Sequence, residues 1–182
     1  MKTLVIVTHP NIHDSMVSKT WVHMLRQHPD QFTVHELYSE YPDGVIDVER
    51  EQALVEEHQN IVLQFPVYWF NCPPLLKQWC DEVLTYGWAY GSKGKAFENK
   101  KLGIAVSLGA PASEYSAEGS VGYTVAETLR PFELTANYIS ANYQPLFTFH
   151  TIDTYESYDE AAAQLVADSA DDYLAHLNTY YA

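Results

Sequence analysis

Apolar residues in this chain come in short unbroken runs, separated by amphipathic stretches. TLVIV at 3–7 is β-branched, and 14–28 (DSMVSKTWVHMLRQH) follows with Val17, Trp21, Met24 and Leu25 at helical spacing behind Asp14 or Ser15 as a cap. FTVHEL at 32–37 reads as a strand, 47–58 as a helix, and NIVLQF at 60–65 as a strand buried on both faces. A helix over 73–85 opens on prolines, which have no N–H to leave unpaired in a first turn. LGIAVSL at 102–108 is another continuous apolar strand, followed by a loop with Gly and Ser and a helix over about 121–136. YISANYQPLFTFHT (138–151) supplies a fifth strand, and 157–180 a closing helix.

Strands alternating with helices, the central strands almost wholly apolar, imply an α/β fold: a parallel sheet covered on both faces, one domain over residues 1–182. In open sheets of this kind ligands bind beyond the carboxyl ends of the strands, at the switch point. That directs attention to segments 8–18, 66–73 and 107–120.

Composition narrows the partners. The 182 residues are 47% hydrophobic and 19% charged, enough for one sizeable core, with a formal charge of −14 that repels nucleic-acid backbones and anionic lipid. No stretch approaches the roughly 18–20 apolar residues of a membrane helix, and the N-terminal run lacks a cleavage site. A cytoplasmic protein that binds no nucleic acid is expected. Cys72 and Cys80 have neither redox nor zinc spacing and read as buried thiols, and no metal site is expected. Lys93, Lys95, Lys100 and Lys101 cluster, while no Lys or Arg follows Arg130. A solvated turn and an acidic helix explain this, with docking of an anionic nucleotide on the lysines as the alternative.

The first loop, Thr8 to Ser18, is rich in hydroxyl, amide and imidazole groups at a helix start. Free N–H groups there make a phosphate site without net positive charge, although the loop matches neither GxxxxGK[ST] nor GxGxxG. His9 and His13 read either as part of that site or as capping and surface residues. In the second loop, Pro66-Val67-Tyr68-Trp69-Phe70, three successive aromatics serve either as core or as an apolar wall for a flat ring. The third, Ser107-Leu108-Gly109-Ala110 on to Tyr115, leaves its strand through small residues that allow close backbone approach. Together the loops suit a flavin, with phosphate on the first and the ring against the other two.

The stretch Gln64-Phe65-Pro66-Val67-Tyr68-Trp69, continued by Pro73-Pro74-Leu75-Leu76-Lys77-Gln78-Trp79-Cys80-Asp81 and Gly87-Trp88-Ala89-Tyr90-Gly91, resembles the flavodoxin-like NAD(P)H:quinone oxidoreductases. The similarity is greatest to the short bacterial branch of antiporter ancillary subunits and general-stress reductases. The resemblance implies a flavodoxin-like doubly wound sheet of five strands in the order 2-1-3-4-5. It implies a homodimer, here through the Trp88/Tyr90 loop, and a bound FMN, or alternatively FAD, passing a hydride from NAD(P)H to a quinone or similar electrophile. It places His9, Ser15, Met16, Val17 and Ser18 on the phosphate side, and Pro66, Val67, Tyr68 and Trp69 with Ser107, Leu108, Gly109 and Ala110 at the ring. Tyr115 matches a catalytic tyrosine that in larger relatives works with a histidine a few residues on, where this chain reads Glu118-Gly119-Ser120-Val121. The same resemblance allows a second role, as ancillary subunit of a glutathione-gated potassium-efflux antiporter, held at the inner membrane through that partner. An electron-transfer flavodoxin is the third reading.

Overall fold

Strands β1 (Thr3–Val7), β2 (Phe32–Glu36), β3 (Asn60–Pro66) and β4 (Lys101–Leu108) form where the apolar runs predict them. The computed structural model describes residues 2–150 and 159–182. Thr151 of the expected fifth strand and 157–158 of the closing helix lie outside the described residues. The sheet is parallel, in the order β2-β1-β3-β4-β5, with β6 also on β4.

The fifth strand is two pieces, β5 (Asn142–Tyr143) and β6 (Phe147–His150). Leu102 pairs with Tyr143 and Ala105 with Phe147, so Gly103 and Ile104 face the longer run Gln144-Pro145-Leu146. One extra residue is a bulge, and Pro145, which has no N–H to give a ladder, sits in it. The bulge changes which face the side chains take. Tyr143 packs with the core of Leu102 and Ile104, whereas Phe147, four residues on, packs on the opposite core.

The helices run in chain order: α1 (Val17–Arg26), α2 (Leu37–Glu40), α3 (Val48–Glu56), α4 (Pro74–Val83), α5 (Val125–Thr128), α6 (Arg130–Tyr138) and α7 (Glu160–Tyr180). On one face of the sheet, Val5, Val7, Val62 and Ala105 pack against Trp21 of α1 and Val166, Ala170, Tyr173 and Leu177 of α7. On the other, Leu4, Ile6, Ile61, Leu63, Phe65 and Val106 meet Val55 of α3, Leu76, Trp79 and Val83 of α4, and Phe132 of α6. At Gly103 a Cβ would meet the Tyr181 hydroxyl at 1.9 Å, so the chain beyond α7 closes on β4 only over a glycine.

Helix ends follow local chemistry. Asp47 caps α3 by accepting from the Arg50 N–H at 3.1 Å. The helix expected over 121–136 divides at Leu129, because Pro131 cannot extend α5 and instead belongs in the first turn of α6. Thr124 and Glu127 close a capping box on α5.

One alternative reading needs correction. Lys100 donates to the His58 carbonyl at 2.6 Å and Lys101 opens β4, at the end of the sheet opposite the carboxyl loops. These two lysines tie down the amino edge and face no site at the other end. The cysteines are free and half-buried, and desolvation pushes the Cys80 thiol up to about 12.

Candidate functional site

At the carboxyl end of β1 the Thr8 N–H donates to the Gln64 carbonyl at 2.8 Å, fastening the first loop to β3. The His9 Nδ1 accepts from the Asn11 N–H at 3.1 Å, and burial lowers the pKa of the ring, so His9 stands neutral with its proton on Nε2. A 3-10 turn over Ile12–Asp14 follows, with the Asn11 amide bonded to Asp14. Asp14 is thus not the cap. Ser15 is, accepting from the Ser18 N–H at 3.0 Å. The start of α1 therefore presents Ser15 and half-buried Met16 beside buried Val17 and Ser18; the Ser15 and Ser18 N–H groups donate to the Ile12 carbonyl and the Ser15 hydroxyl, and those of Met16 and Val17 have no partner among the described residues.

Beyond β3 the Val67 N–H donates to the Ser107 carbonyl at 2.9 Å, joining the second loop to the third. Tyr68 and Asn71 exchange two backbone bonds of 2.8 and 3.0 Å around Trp69 and Phe70, whose φ values are +49° and +62°. Two positive φ values between mutually bonded ends are the pattern of a type I′ turn, which favours Asn and Gly. Here bulky aromatics occupy both places, at a cost of about 1–2 kcal/mol each. Folding gains little in return, because Trp69 is 93% exposed. The first and second loops meet where the His9 and Tyr68 rings approach edge-on at 6.5 Å, and burial raises the Tyr68 pKa.

Beyond β4, Ser107 is half-buried and Leu108 buried, and a Cβ built on Gly109 meets nothing within 4 Å. Ala110 leads through a 3-10 turn over Ala112–Glu114 to Tyr115, whose hydroxyl pKa is raised by burial. The Tyr115 ring stands edge-on to His150 at 5.8 Å, and the His150 Nδ1 lies 3.0 Å from the Ala110 carbonyl.

The three loops thus converge on one edge, as the sequence reading required. Not every named side chain faces it: Val17, Pro66 and Leu108 are buried, so what they can offer a ligand is backbone. Trp88 also differs from expectation. Its indole donates to Glu56 at 2.7 Å and packs on Phe97, while Ala89 is buried. The exposed aromatic surface there belongs to Tyr86 and to Tyr138 of α6, bridged by Tyr90.

Sequence reasoning missed three participants. The Thr8 hydroxyl and both amide atoms of the Gln64 side chain are buried without hydrogen-bond partners among the described residues. The signal for Gln64 was present, as the polar residue that interrupts the apolar run Ile61 to Phe65 before the loop. His150 carried no such signal. A cleft of about 170 Å³ beside His9, lined also by Asn11, His13, Glu36 and Tyr38, extends the edge towards β2. Among the described residues no group of three His, Cys, Asp or Glu could hold a metal ion, and no helix is long and apolar enough to cross a membrane.

These features fit a planar, phosphate-bearing cofactor. A Ser-capped helix start can bind an anion through its amides, the open face of Gly109 admits a ring close to the backbone, and the strained turn sets an aromatic wall beside it.

Comparison with known proteins agrees with this geometry. A family model described as flavodoxin-like fold matches residues 1–177. The crystal structure of general stress protein 14 from Treponema denticola, in complex with FMN, is 62% identical, covers 98% of this chain and 99% of its own, and superposes with a TM-score of 0.93. An NADPH-quinone reductase structure from P. pentosaceus is 33% identical over 94% and 97% of the two chains, with a TM-score of 0.80. An uncharacterized NAD(P)H oxidoreductase of Bacillus subtilis, YrkL, is 55% identical over 81% of this chain and 84% of its own. The glutathione-regulated potassium-efflux system ancillary protein KefG of Erwinia tasmaniensis is 42% identical over 74% and 73%.

Proposed function

The chain belongs to the Flavodoxin_2 family of flavodoxin-like folds, and from that premise we propose that it is a single-domain, FMN-dependent NAD(P)H oxidoreductase whose acceptor is a quinone or a similar flat electrophile. The observation that carries the reading is the Tyr68–Asn71 turn. Two aromatics are held at positive φ, one almost wholly in solvent, beside a capped helix start, and strain of that kind persists where a ligand uses it.

In this reading the amides of Met16 and Val17, with the hydroxyls of Ser15 and Ser18 and with His9, hold the FMN phosphate. No cation is required, which suits a chain of charge −14. Pro66, Val67, Tyr68 and Trp69 present backbone and aromatic faces to one side of the ring, and Ser107, Leu108, Gly109 and Ala110 present backbone to its edge. The bonds Thr8 to Gln64 and Val67 to Ser107 keep the three loops in register, so the ring position is set by the sheet. When bound, FMN supplies the two-electron hydride chemistry. Trp69 and Phe70 keep water from one face of the site, and the Tyr115 hydroxyl, held protonated by burial, offers a hydrogen bond to charge developing at the ring edge.

The exposed Tyr86 and Tyr138 make an apolar face suited to a homodimer. The likeness to KefG supports a second role for the same protein, as a regulatory partner of a potassium-efflux antiporter, with the chain cytoplasmic or peripheral at the inner membrane. The absorption spectrum of the purified protein, followed by FMN titration of the apo-protein, tests the main reading. Flavin bands approaching one FMN per chain are expected, and a protein that ignores FMN overturns it.

A further inference from the structure

β6 runs beside β4 with His150 paired to Leu108, the last residue before the chain leaves the sheet into the third loop. Phe147 and Phe149 pack towards α1 and α7. Strand alternation then sends His150 to the other face, where Tyr115 packs. The His150 Nδ1 lies 3.0 Å from the Ala110 carbonyl, and since a carbonyl only accepts, the ring carries its hydrogen on Nδ1. The same ring meets Tyr115 edge-on at 5.8 Å and 61°. One half-buried side chain thus touches Ala110 and Tyr115, on either side of the turn over Ala112–Glu114, in a loop whose residues Gly109, Ala110, Pro111 and Ala112 are small.

We propose that His150 is a positioning residue for the ring side of the site: its Nδ1–H fixes the Ala110 carbonyl and its edge fixes the Tyr115 ring, so that both face the flavin in one arrangement. The inference rests on the FMN reading above. His150 acts through Ala110 and Tyr115 and is not assigned a chemical step.

Two variants of the full chain separate a specific bond from mere filling of space. In His150→Asn the side-chain amide nitrogen takes the place of Nδ1 and can donate to Ala110, whereas His150→Leu keeps bulk without a donor. FMN titration by fluorescence quenching should show affinity lower by about tenfold for the leucine variant, the scale of one hydrogen bond, with a changed absorption envelope of the bound flavin. The asparagine variant should return to within about threefold of the wild-type affinity and restore the envelope. Circular dichroism and thermal melting report whether each variant folds. Should the leucine variant not fold, His150→Gln replaces it, since its longer amide overshoots the Nδ1 position and should behave like leucine. Wild-type affinity and spectrum in the variant without the donor overturns the proposal, as does an asparagine variant no better than that one. A wild-type protein that binds no FMN overturns the flavin reading and this role with it, whereas normal wild-type binding beside an unaffected leucine variant overturns this role alone.

Discussion

Two polar clusters in this molecule are buried in opposite ways. Under α3, the Glu51 carboxylate has no exposure and accepts from the Tyr41 hydroxyl at 2.6 Å, the Trp79 indole at 2.8 Å and His35 Nε2 at 2.8 Å. Burial by itself would raise its pKa, but bonds from His35, Tyr41 and Trp79 outweigh that and hold it below the usual carboxylate value. At the carboxyl edge of the sheet, the Thr8 hydroxyl and the Gln64 amide are as deeply buried and have no partners among the described residues, next to a turn strained by two aromatics. A satisfied network belongs to the scaffold. The Tyr173 hydroxyl in the α7 core is also unpaired among the described residues, but only at the meeting of the three loops do unsatisfied groups lie beside a strained turn, the pattern expected of a surface that a ligand completes.

The contrast is broken most directly at Glu51. Glu51→Ala leaves three buried donors unpaired and should cost about 3–5 kcal/mol in urea unfolding, with a refolded fraction that still binds FMN. A cost under about 1 kcal/mol would mean the network is not structural. Because the folded carboxyl pKa is depressed, its stabilisation is fully present above the unfolded value near 4.3 and is lost as pH falls through the folded pKa. Glu51→Gln should therefore lower the neutral-pH plateau of the stability profile and flatten its acid limb, because it removes a stabilisation present only while the carboxylate is ionised.

At the other cluster the signs should reverse. Trp69→Gly relieves the turn at φ +49° and should leave the apo-protein as stable or about 1 kcal/mol more so, while FMN affinity falls by about tenfold or more, by melting and titration on one sample. If stability fell as well, Trp69 would be part of the scaffold. Tyr115→Phe keeps the ring against His150 and should leave FMN bound, with flavin reduction by NADPH slowed about tenfold or less in stopped flow. A loss of several orders of magnitude would make the hydroxyl indispensable. The smallest effect is expected at Ser15→Ala, where losing the cap to Ser18 should cost about 1 kcal/mol of stability, measured by denaturation, with FMN binding weakened in parallel.

Much of this was legible in the chain. Short apolar runs rich in β-branched residues and bounded by turns fit strands covered on both faces, so the layering and the three loop positions followed from TLVIV, NIVLQF and LGIAVSL. Residues whose part depends on local chemistry, such as Ser15 as a cap or the prolines at the start of α4, were equally readable. The division of the fifth strand was not, because Pro145 marks a break without saying how many residues the ladder skips. Nor was the inward turn of Trp88, since an aromatic between glycines reads the same whether its indole finds Glu56 or solvent.

Local pattern along the chain therefore determined the main strands and helices and the order in which they alternate, since each of these depends on neighbours within about four positions. Only the tertiary structure decided which side chains meet on the carboxyl edge of the sheet. Register across strands is a long-range choice, and a single extra residue between Tyr143 and Phe147 changes the face on which His150 emerges. The strain at Trp69 likewise exists only once Tyr68 and Asn71 are bonded to each other, and the unpaired state of Gln64 only once the neighbouring strands have enclosed it.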